Sequence, residues 1–472
     1  MSTKTQLAVI GGGPGGYAAA FLASDLGMNV TLIDLEKNPG GVCLYRGCIP
    51  SKALLHVAKL IHEAEEAKKW GIDFGEPKID INKLRDFKNG VVNKLTGGLG
   101  QLAKQRKVNY VNGKATFVNS STLSVQKTDG TIEEVIFEKA ILATGSVPAK
   151  IPGLSIDSPR VMDSTAALEL NDVPKKLLVI GGGYIGLELS TVYASLGSEV
   201  TVVEMLPGLL PGADRDLVAV LEKRLKTILK NVYTETKVVD LKDNGDSITV
   251  KLEGAKVTEP EQTFDKVLIS IGRKPVTAGL GLENTKIKIN ERGFVVVDKQ
   301  LKTDDENIYA IGDIVGNPML AHKAAAEGKT AVEAILGNKV AFEPNAIPAV
   351  VFTDPEIAWA GLTETEAKEK GIKVEIAKFP WAASGRATTL DRNDGLTKLI
   401  IEPETERILG VALVGVGAGD MIAEGTLAIE MGAVVKDLEL TIHPHPTLSE
   451  TMMFAAELFY GHATDMYRPK RK

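Results

Sequence analysis

Only two cysteines, Cys43 and Cys48, occur in 472 residues. So sparse a supply excludes the short, cysteine-dense disulfide scaffolds. No apolar run approaches the roughly 18 residues that a membrane-spanning helix needs, and low-complexity segments are absent. Positive charge is in deficit: 55 Lys and Arg stand against 61 Asp and Glu, a formal charge of −6. That leaves no basic face for nucleic acid or anionic lipid. The six histidines (His56, His62, His322, His443, His445 and His462) are scattered, and no His/Cys set has zinc spacing, so no metal is expected. The opening MSTKTQLAVIGGG is too short in its apolar part, and wrongly flanked, for a signal peptide. A cytoplasmic protein is expected, or one from a cytoplasm-like compartment if a targeting peptide has been removed.

What is present is an ordinary globular composition, 44% hydrophobic and 25% charged, and length enough for three or four domains. The two cysteines sit together in GGVCLYRGCIPSK, Gly40 to Lys52. In a regular helix, Cα atoms five positions apart lie about 8–9 Å from each other. A disulfide wants roughly 4.4–6.8 Å, so the segment must tighten before the pair can close. Gly47 can supply the backbone freedom, and Pro50 suits the first turn of a helix carrying Lys52, Leu54 and Leu55. A short loop closed under constraint reads as an exchangeable disulfide rather than a staple. The bland alternative is two unrelated buried thiols.

Two further stretches repeat one pattern. A strand from Gln6 to Ile10 runs into GGGPGG, with Gly11, Gly13 and Gly16 in the fingerprint positions. A helix follows from Tyr17 to Leu26, and a second strand, Asn29 to Ile33, ends at Asp34. Leu177 to Ile180, the glycines Gly181, Gly183 and Gly186, and Glu199 to Val203 ending at Glu204 repeat the arrangement. In such a βαβ unit the first glycine makes the turn, the second admits the pyrophosphate and the third packs helix on strand. The acidic residue then takes the ribose. Glu36 is a nearby alternative to Asp34 for that contact. Two units imply two dinucleotides. Between them lie helical regions, Ser51 to Ala67 and Ile81 to Ala103, and a β-rich stretch, Val108 to Ala143, ending in the Thr144-Gly145-Ser146 turn. Val267 to Pro275 closes the second unit. A strand from Asn307 to Ile314 places Asp313 just past its end, followed by a helix from Met319 to Leu336. From Ala346 the pattern becomes antiparallel strands with helices at Glu364 to Lys370 and Asp420 to Met431. Lys470 to Lys472 reads as a solvated basic end.

A nucleotide-bound carrier beside a redox-active disulfide suggests hydride-to-thiol chemistry, which needs a base because the thiolate is the reactive form. TIHPHPTLSE sets His445 between prolines, five residues before Glu450, where a carboxylate can fix the ring's tautomer. A structural His–Glu contact is the competing reading.

GGGPGG, GGVCLxxGCIPSK, ATGS, GGGYIGLE, AIGD and HPHPTLSE together resemble the flavoprotein disulfide reductases (the class I pyridine nucleotide-disulfide oxidoreductases), and among them the dihydrolipoamide dehydrogenase group. The resemblance spans almost the whole chain. It implies an α/β fold with two Rossmann-like dinucleotide-binding domains and a C-terminal α+β dimerisation domain. The divisions expected are residues 1–148 (first part of the FAD domain), 149–275 (NAD domain), 276–346 (second part of the FAD domain) and 347–472 (dimerisation). It implies FAD on Gly11, Gly13, Gly16, Asp34, Lys52, Gly113, Thr144, Gly145, Asp313 and Ala321, and NAD on Gly181, Gly183, Gly186, Glu204, Val238 and Gly272. Cys43 would meet the dithiol substrate and Cys48 the flavin, with Lys52 and Glu188 as an ion pair beside it. His445, oriented by Glu450, would serve the other subunit's disulfide in a homodimer. Implied partners are the lipoyl domains of 2-oxoacid dehydrogenase complexes or the glycine cleavage H protein. NAD is favoured over NADP, since Glu204 would repel a 2′-phosphate and Met205, Leu206 and Pro207 offer no arginine. Two departures stand out. Tyr45-Arg46 replaces the commoner Asn-Val between the cysteines, where a guanidinium could lower a thiolate pKa. Pro444 and Ser449 replace Ala and His around the base. Another NADH-dependent disulfide or quinone reductase of the same fold is the alternative activity, and a non-catalytic regulatory flavoprotein the more distant one.

Overall fold

In a computed structural model of the chain, residues 2–467 are described. The basic end from Lys470 to Lys472 lies outside the described residues. Apolar β-branched runs flanked by glycine turns make the first unit: β1 (Ser2–Ile10), α1 (Pro14–Asp25), β2 (Val30–Asp34), α2 (Gly41–Arg46) and α3 (Cys48–Glu66). β1 pairs in parallel with β2 on one side and with the strand Ile132–Leu142 on the other. The latter pairs in parallel with Ile308–Ala310, so the chain returns to its first sheet after more than 160 residues elsewhere. Pro14 opens α1 without losing a needed donor, and Gly27, at φ +90°, closes it.

The second unit is a five-stranded parallel sheet in the order Asn231–Tyr233, Glu199–Val203, Lys176–Ile180, Lys266–Ile269, Val161–Met162. The C-terminal unit is an antiparallel five-stranded sheet between Ala349 and Gly415, with helices Ala418–Glu430 and Glu450–Tyr460 packed on it. This is the expected fold class. Three details differ from the sequence reading. The strand expected to reach Ile314 ends at Ala310, and Asp313 stands past its end in a short 3₁₀ segment that Gly312 (φ +79°) turns. Val267 to Pro275 is split into two strands, Lys266–Ile269 and Arg273–Pro275. A three-stranded antiparallel sheet over Lys237–Asp243, Ile248–Glu253 and Glu261–Phe264 was not foreseen.

The second and C-terminal units are locked by one fully buried cation. Lys398 Nζ lies 2.6 Å from Asp214, 2.8 Å from Asp216 and 3.2 Å from Glu364. These carboxylates come close enough together to resemble a metal site, but Lys398 and Lys378 already neutralise them. Removing one member of a buried ion cluster leaves the others uncompensated. Lys398→Met is therefore expected to destabilise the protein by about 3 kcal/mol, at the low end of the range for broken buried pairs because Lys378 remains. Denaturant unfolding of the variant checks it, and an unchanged midpoint would refute the lock.

Candidate active site

A regular helix could not bring Cys43 and Cys48 together, and the chain does not use one. It breaks at Gly47 (φ −140°, ψ −114°), between α2 and α3, where a Cβ would come within 2.9 Å of the Val42 carbonyl oxygen. Glycine is needed there for close approach rather than for a left-handed conformation. The cysteines are free thiols linked by a side-chain hydrogen bond. That bond lowers the Cys48 thiol to about 7, burial opposes the shift, and the Lys52 ammonium assists it. Cys43 moves the other way, upward, because it is the donor to Cys48 and is desolvated. The two thiols are thus pushed apart in acidity, Cys48 toward the thiolate and Cys43 away from it. Lys52, one turn on, pairs with Glu188 at 2.8 Å, and the other oxygen of Glu188 accepts the Phe352 amide at 3.0 Å. The Lys52 ammonium also lies 4.4 Å from the Phe352 ring centroid. Three units of the fold therefore meet at the disulfide turn.

Both cysteines line a cavity of about 470 Å³, within the usual range for a ligand site. Its wall runs from Asp34 and Glu36 past Gly11, Gly13 and the start of α1 to Cys43, Cys48, Lys52 and Glu188. Gly113, Thr144, Gly145, Asp313 and Ala321 complete it. Gly16 is the exception among the FAD expectations: a Cβ there would lie 1.8 Å from the Gly11 carbonyl oxygen, so it packs helix on strand and does not line the cavity. Bare backbone is demanded at the turn, since a Cβ on Gly41 (φ +57°) would come within 2.5 Å of Gly13 Cα. Asp34 accepts the Gly12 and Glu36 amides at 2.5 and 2.8 Å. In the second unit Glu204 accepts the Gly182 and Leu206 amides at 2.7 and 2.8 Å, the same pattern repeated. Gly181 and Gly186 pack as their counterparts do, while Gly183 and Gly272 face open space. Val238 is buried in the core of its unit, so only its backbone is available to a ligand.

Sequence reasoning missed several residues here. Ser146 bonds Asp313, and Arg273 bonds Ser146 through its hydroxyl and carbonyl oxygens. The buried Glu327 accepts the Gly312 amide at 2.7 Å and pairs with Lys323, which fixes the turn that presents Asp313. Ser146 stands in the ATGS motif but without a role assigned to its side chain, and no motif flagged the others, because each partner lies far off in sequence or acts through the backbone. Arg46 also differs from expectation: it pairs with Glu36, and the charges shifting the two thiols are those of Lys52, Glu188 and the cysteines themselves.

His445 Nδ1 lies 2.9 Å from Glu450, whose second oxygen accepts the Thr447 amide at 2.7 Å. The carboxylate is buried and the imidazole mostly exposed. Neither residue lines the cavity that holds this chain's own cysteines. Two residues earlier, His443 is fixed by both ring nitrogens, Nε2 to Glu424 at 2.6 Å and Nδ1 to the Thr441 carbonyl at 2.8 Å. Both partners are pure acceptors, so only the imidazolium satisfies both, and chiefly the Glu424 bond raises its pKa. A raised folded pKa stabilises fully below the unfolded value of 6.5 and less as pH climbs through the folded value. The stability gap between the natural protein and His443→Gln should therefore be widest below pH 6.5 and narrow above it, as thermal melts across pH would record.

The double glycine fingerprint, the cysteine turn and the antiparallel C-terminal unit define a two-dinucleotide disulfide oxidoreductase, and the chain belongs to the pyridine nucleotide-disulphide oxidoreductase family. The family model covers residues 5–328, and that family's dimerisation-domain model covers residues 347–456. Among curated relatives, the dihydrolipoyl dehydrogenase of Vibrio cholerae serotype O1 is 51% identical over 99% of this chain and 98% of its own length. That of Geobacillus stearothermophilus is 46% identical over 97% of each. Of solved structures, LpdA from Mycobacterium tuberculosis matches with a TM-score of 0.89 at 26% identity, over 96% of this chain and 99% of its own. The HOCl-induced flavoprotein disulfide reductase RclA from Escherichia coli, as a Cu(II) complex, matches at 0.86 and 30%, over 97% and 99%.

Proposed function

We propose that the chain is a dihydrolipoyl dehydrogenase, which oxidises a protein-bound dihydrolipoyl dithiol and passes the electron pair through Cys43–Cys48 and FAD to NAD⁺. The observation that carries this reading is a thiol pair, its Cys48 member lowered toward the thiolate, set in the wall of a cavity that the first glycine fingerprint and Asp34 also line. Full-length relatives bearing that enzyme's name support it.

In the oxidised enzyme a substrate thiolate attacks Cys43 Sγ, the Cys43–Cys48 bond breaks, and Cys48 leaves as the thiolate that Lys52 stabilises. His445 of the partner subunit, oriented by Glu450, takes the proton of the second substrate thiol. That sulfur then displaces Cys43 and closes the lipoyl disulfide. FAD, held along Gly11, Gly13, Asp34, Gly113, Asp313 and Ala321, supplies the two-electron relay from the thiol pair to the nicotinamide. The dithiol loses two electrons and two protons in all; NAD⁺ takes a hydride, and one proton is released. Gly181, Gly183, Gly186 and Glu204 are assigned to the nicotinamide dinucleotide, with Val238 and Gly272 flanking it. We assign residues 1–148 and 276–346 to the FAD domain, 149–275 to the NAD domain and 347–472 to dimerisation. The natural electron donors are the lipoyl domains of 2-oxoacid dehydrogenase complexes or the glycine cleavage H protein, and the working location is the cytoplasm.

The test is a paired assay of the purified yellow protein, dihydrolipoamide with NAD⁺ against NADPH with glutathione disulfide. Turnover in the first alone is expected. Turnover in the second alone would overturn both the substrate and the nicotinamide assignment.

A further inference from the structure

Tyr45 and Arg46 close α2, directly before the break at Gly47. Both side chains turn away from the thiols toward the loop that follows β2. The Tyr45 hydroxyl accepts the Asn38 amide at 3.2 Å and donates to the Asn38 carbonyl at 3.1 Å. Arg46 pairs with the Glu36 carboxylate, and its guanidinium carbon sits 6.0 Å from the Tyr45 ring centroid. The loop is held from its far side as well. The Glu36 carbonyl accepts the Tyr110 hydroxyl at 2.8 Å and the Asn112 amide at 2.8 Å. Within the same loop Asp34 accepts the Glu36 amide. Arg46, Glu36 and Asp34 all line the cavity, and Arg46 and Asp34 pair with the loop after β2 while Lys52 pairs with Glu188 of the second unit. An Asn-Val pair would provide neither the phenol nor the guanidinium.

We propose that Tyr45 and Arg46 form a brace tying the disulfide turn to the ribose-side loop 34–38, so that Arg46 and Glu36 wall the adenosine end of the FAD site and slow cofactor loss. This rests on the FAD reading above. It places Arg46 as a positioning residue for the cofactor, in contrast to the thiolate-tuning role its spacing suggests. A charge-assisted bond lost from a half-buried pair corresponds to about a five- to tenfold weaker FAD affinity.

The experiment measures FAD dissociation from holoenzyme by the rise in flavin fluorescence on dilution, for the natural protein, R46M, R46K, E36Q and R46M/E36Q. In parallel, the thiolate absorbance of each reduced protein is titrated against pH. R46M and E36Q are each expected to weaken FAD retention by about five- to tenfold. The double variant should be little worse than either single one. R46K should recover part of the loss, because it keeps the charge. The thiolate midpoint should stay where it is in the natural protein. Unchanged FAD retention in R46M overturns the brace, as does a moved thiolate midpoint with retention intact, which would make Arg46 a thiol-tuning residue. If the natural protein itself binds no FAD, the underlying cofactor reading fails with it, a result distinct from the others.

Discussion

Cys48→Ser is expected to abolish dihydrolipoamide-dependent reduction of NAD⁺, a loss of at least about 10⁴-fold on the scale seen when a nucleophile is deleted. Passage of electrons from NADH to a dye should continue. The substrate exchanges its sulfur with Cys43, and the bond that must then break is the one to Cys48. A serine hydroxyl cannot form that bond, and it cannot carry a thiolate's charge beside Lys52. Without its resolving partner, Cys43 can reach at most a mixed disulfide with the substrate. Stopped-flow mixing with dihydrolipoamide should show no reduction of the bound flavin, while mixing with NADH should reduce it. Full lipoamide turnover would disprove the disulfide route. The reduced proteins should also differ in stability with pH. Cys48 titrates near 7 in the fold against 9.0 when unperturbed. A depressed pKa contributes stability that is complete above the unfolded value and fades as pH falls through the folded one. The natural protein's advantage over Cys48→Ser should thus be absent below about pH 7, grow toward pH 9, and stop growing above it, where the Cys43 thiol, raised by the same contact, keeps a proton that the unfolded chain releases.

Why the thiolate rests on Cys48 and not Cys43 is a matter of which sulfur donates. Cys43 gives its hydrogen bond to Cys48, and the α3 lysine stands beside the acceptor. The pair's five-residue spacing announces the chemistry, but the asymmetry comes from the break at Gly47 and from Lys52 one turn later. Both are local, and so both were within reach of a sequence reading. The two glycine fingerprints were legible for the same reason: their function requires bare backbone at fixed offsets, and the collisions a Cβ would make at Gly11, Gly16, Gly181 and Gly186 show how little room a side chain has there.

The illegible parts are those in which distant segments supply one another's charges. Lys398 is neutralised by residues about 180 positions upstream and by Glu364. Its strand reads as an ordinary amphipathic run, and nothing in TKLII hints at a buried cation. Arg46 was visible, yet its direction was not. Spacing alone put the guanidinium near the thiols, whereas the turn of α2 sends it back ten residues to Glu36. The Glu327 carboxylate that holds Gly312 lies on a helix whose pattern marks only its apolar face. His443 had no role assigned in the sequence, and only its two acceptors, the Glu424 carboxylate and the Thr441 carbonyl, explain why its pKa is raised.

The second large effect falls on the base. His445→Gln should lower dihydrolipoamide turnover by about 10²–10⁴-fold, the usual contribution of general acid–base catalysis. NADH-to-dye transfer should be spared. Glu450→Gln should cost less, because the amide can still accept from the imidazole but no longer favours its charged form, and the two changes together should fall well short of additive. Since His445 and Glu450 lie outside the cavity lined by their own chain's cysteines, co-expressed subunits offer a sharper measurement. A hybrid of one Cys48→Ser chain and one His445→Gln chain contains one site with both defects and one with neither, provided the base works across the dimer. Random pairing makes half of the dimers hybrids, so the mixture should regain about a quarter of natural activity. If His445 served the disulfide of its own chain, every site in that mixture would carry one defect and no activity would return.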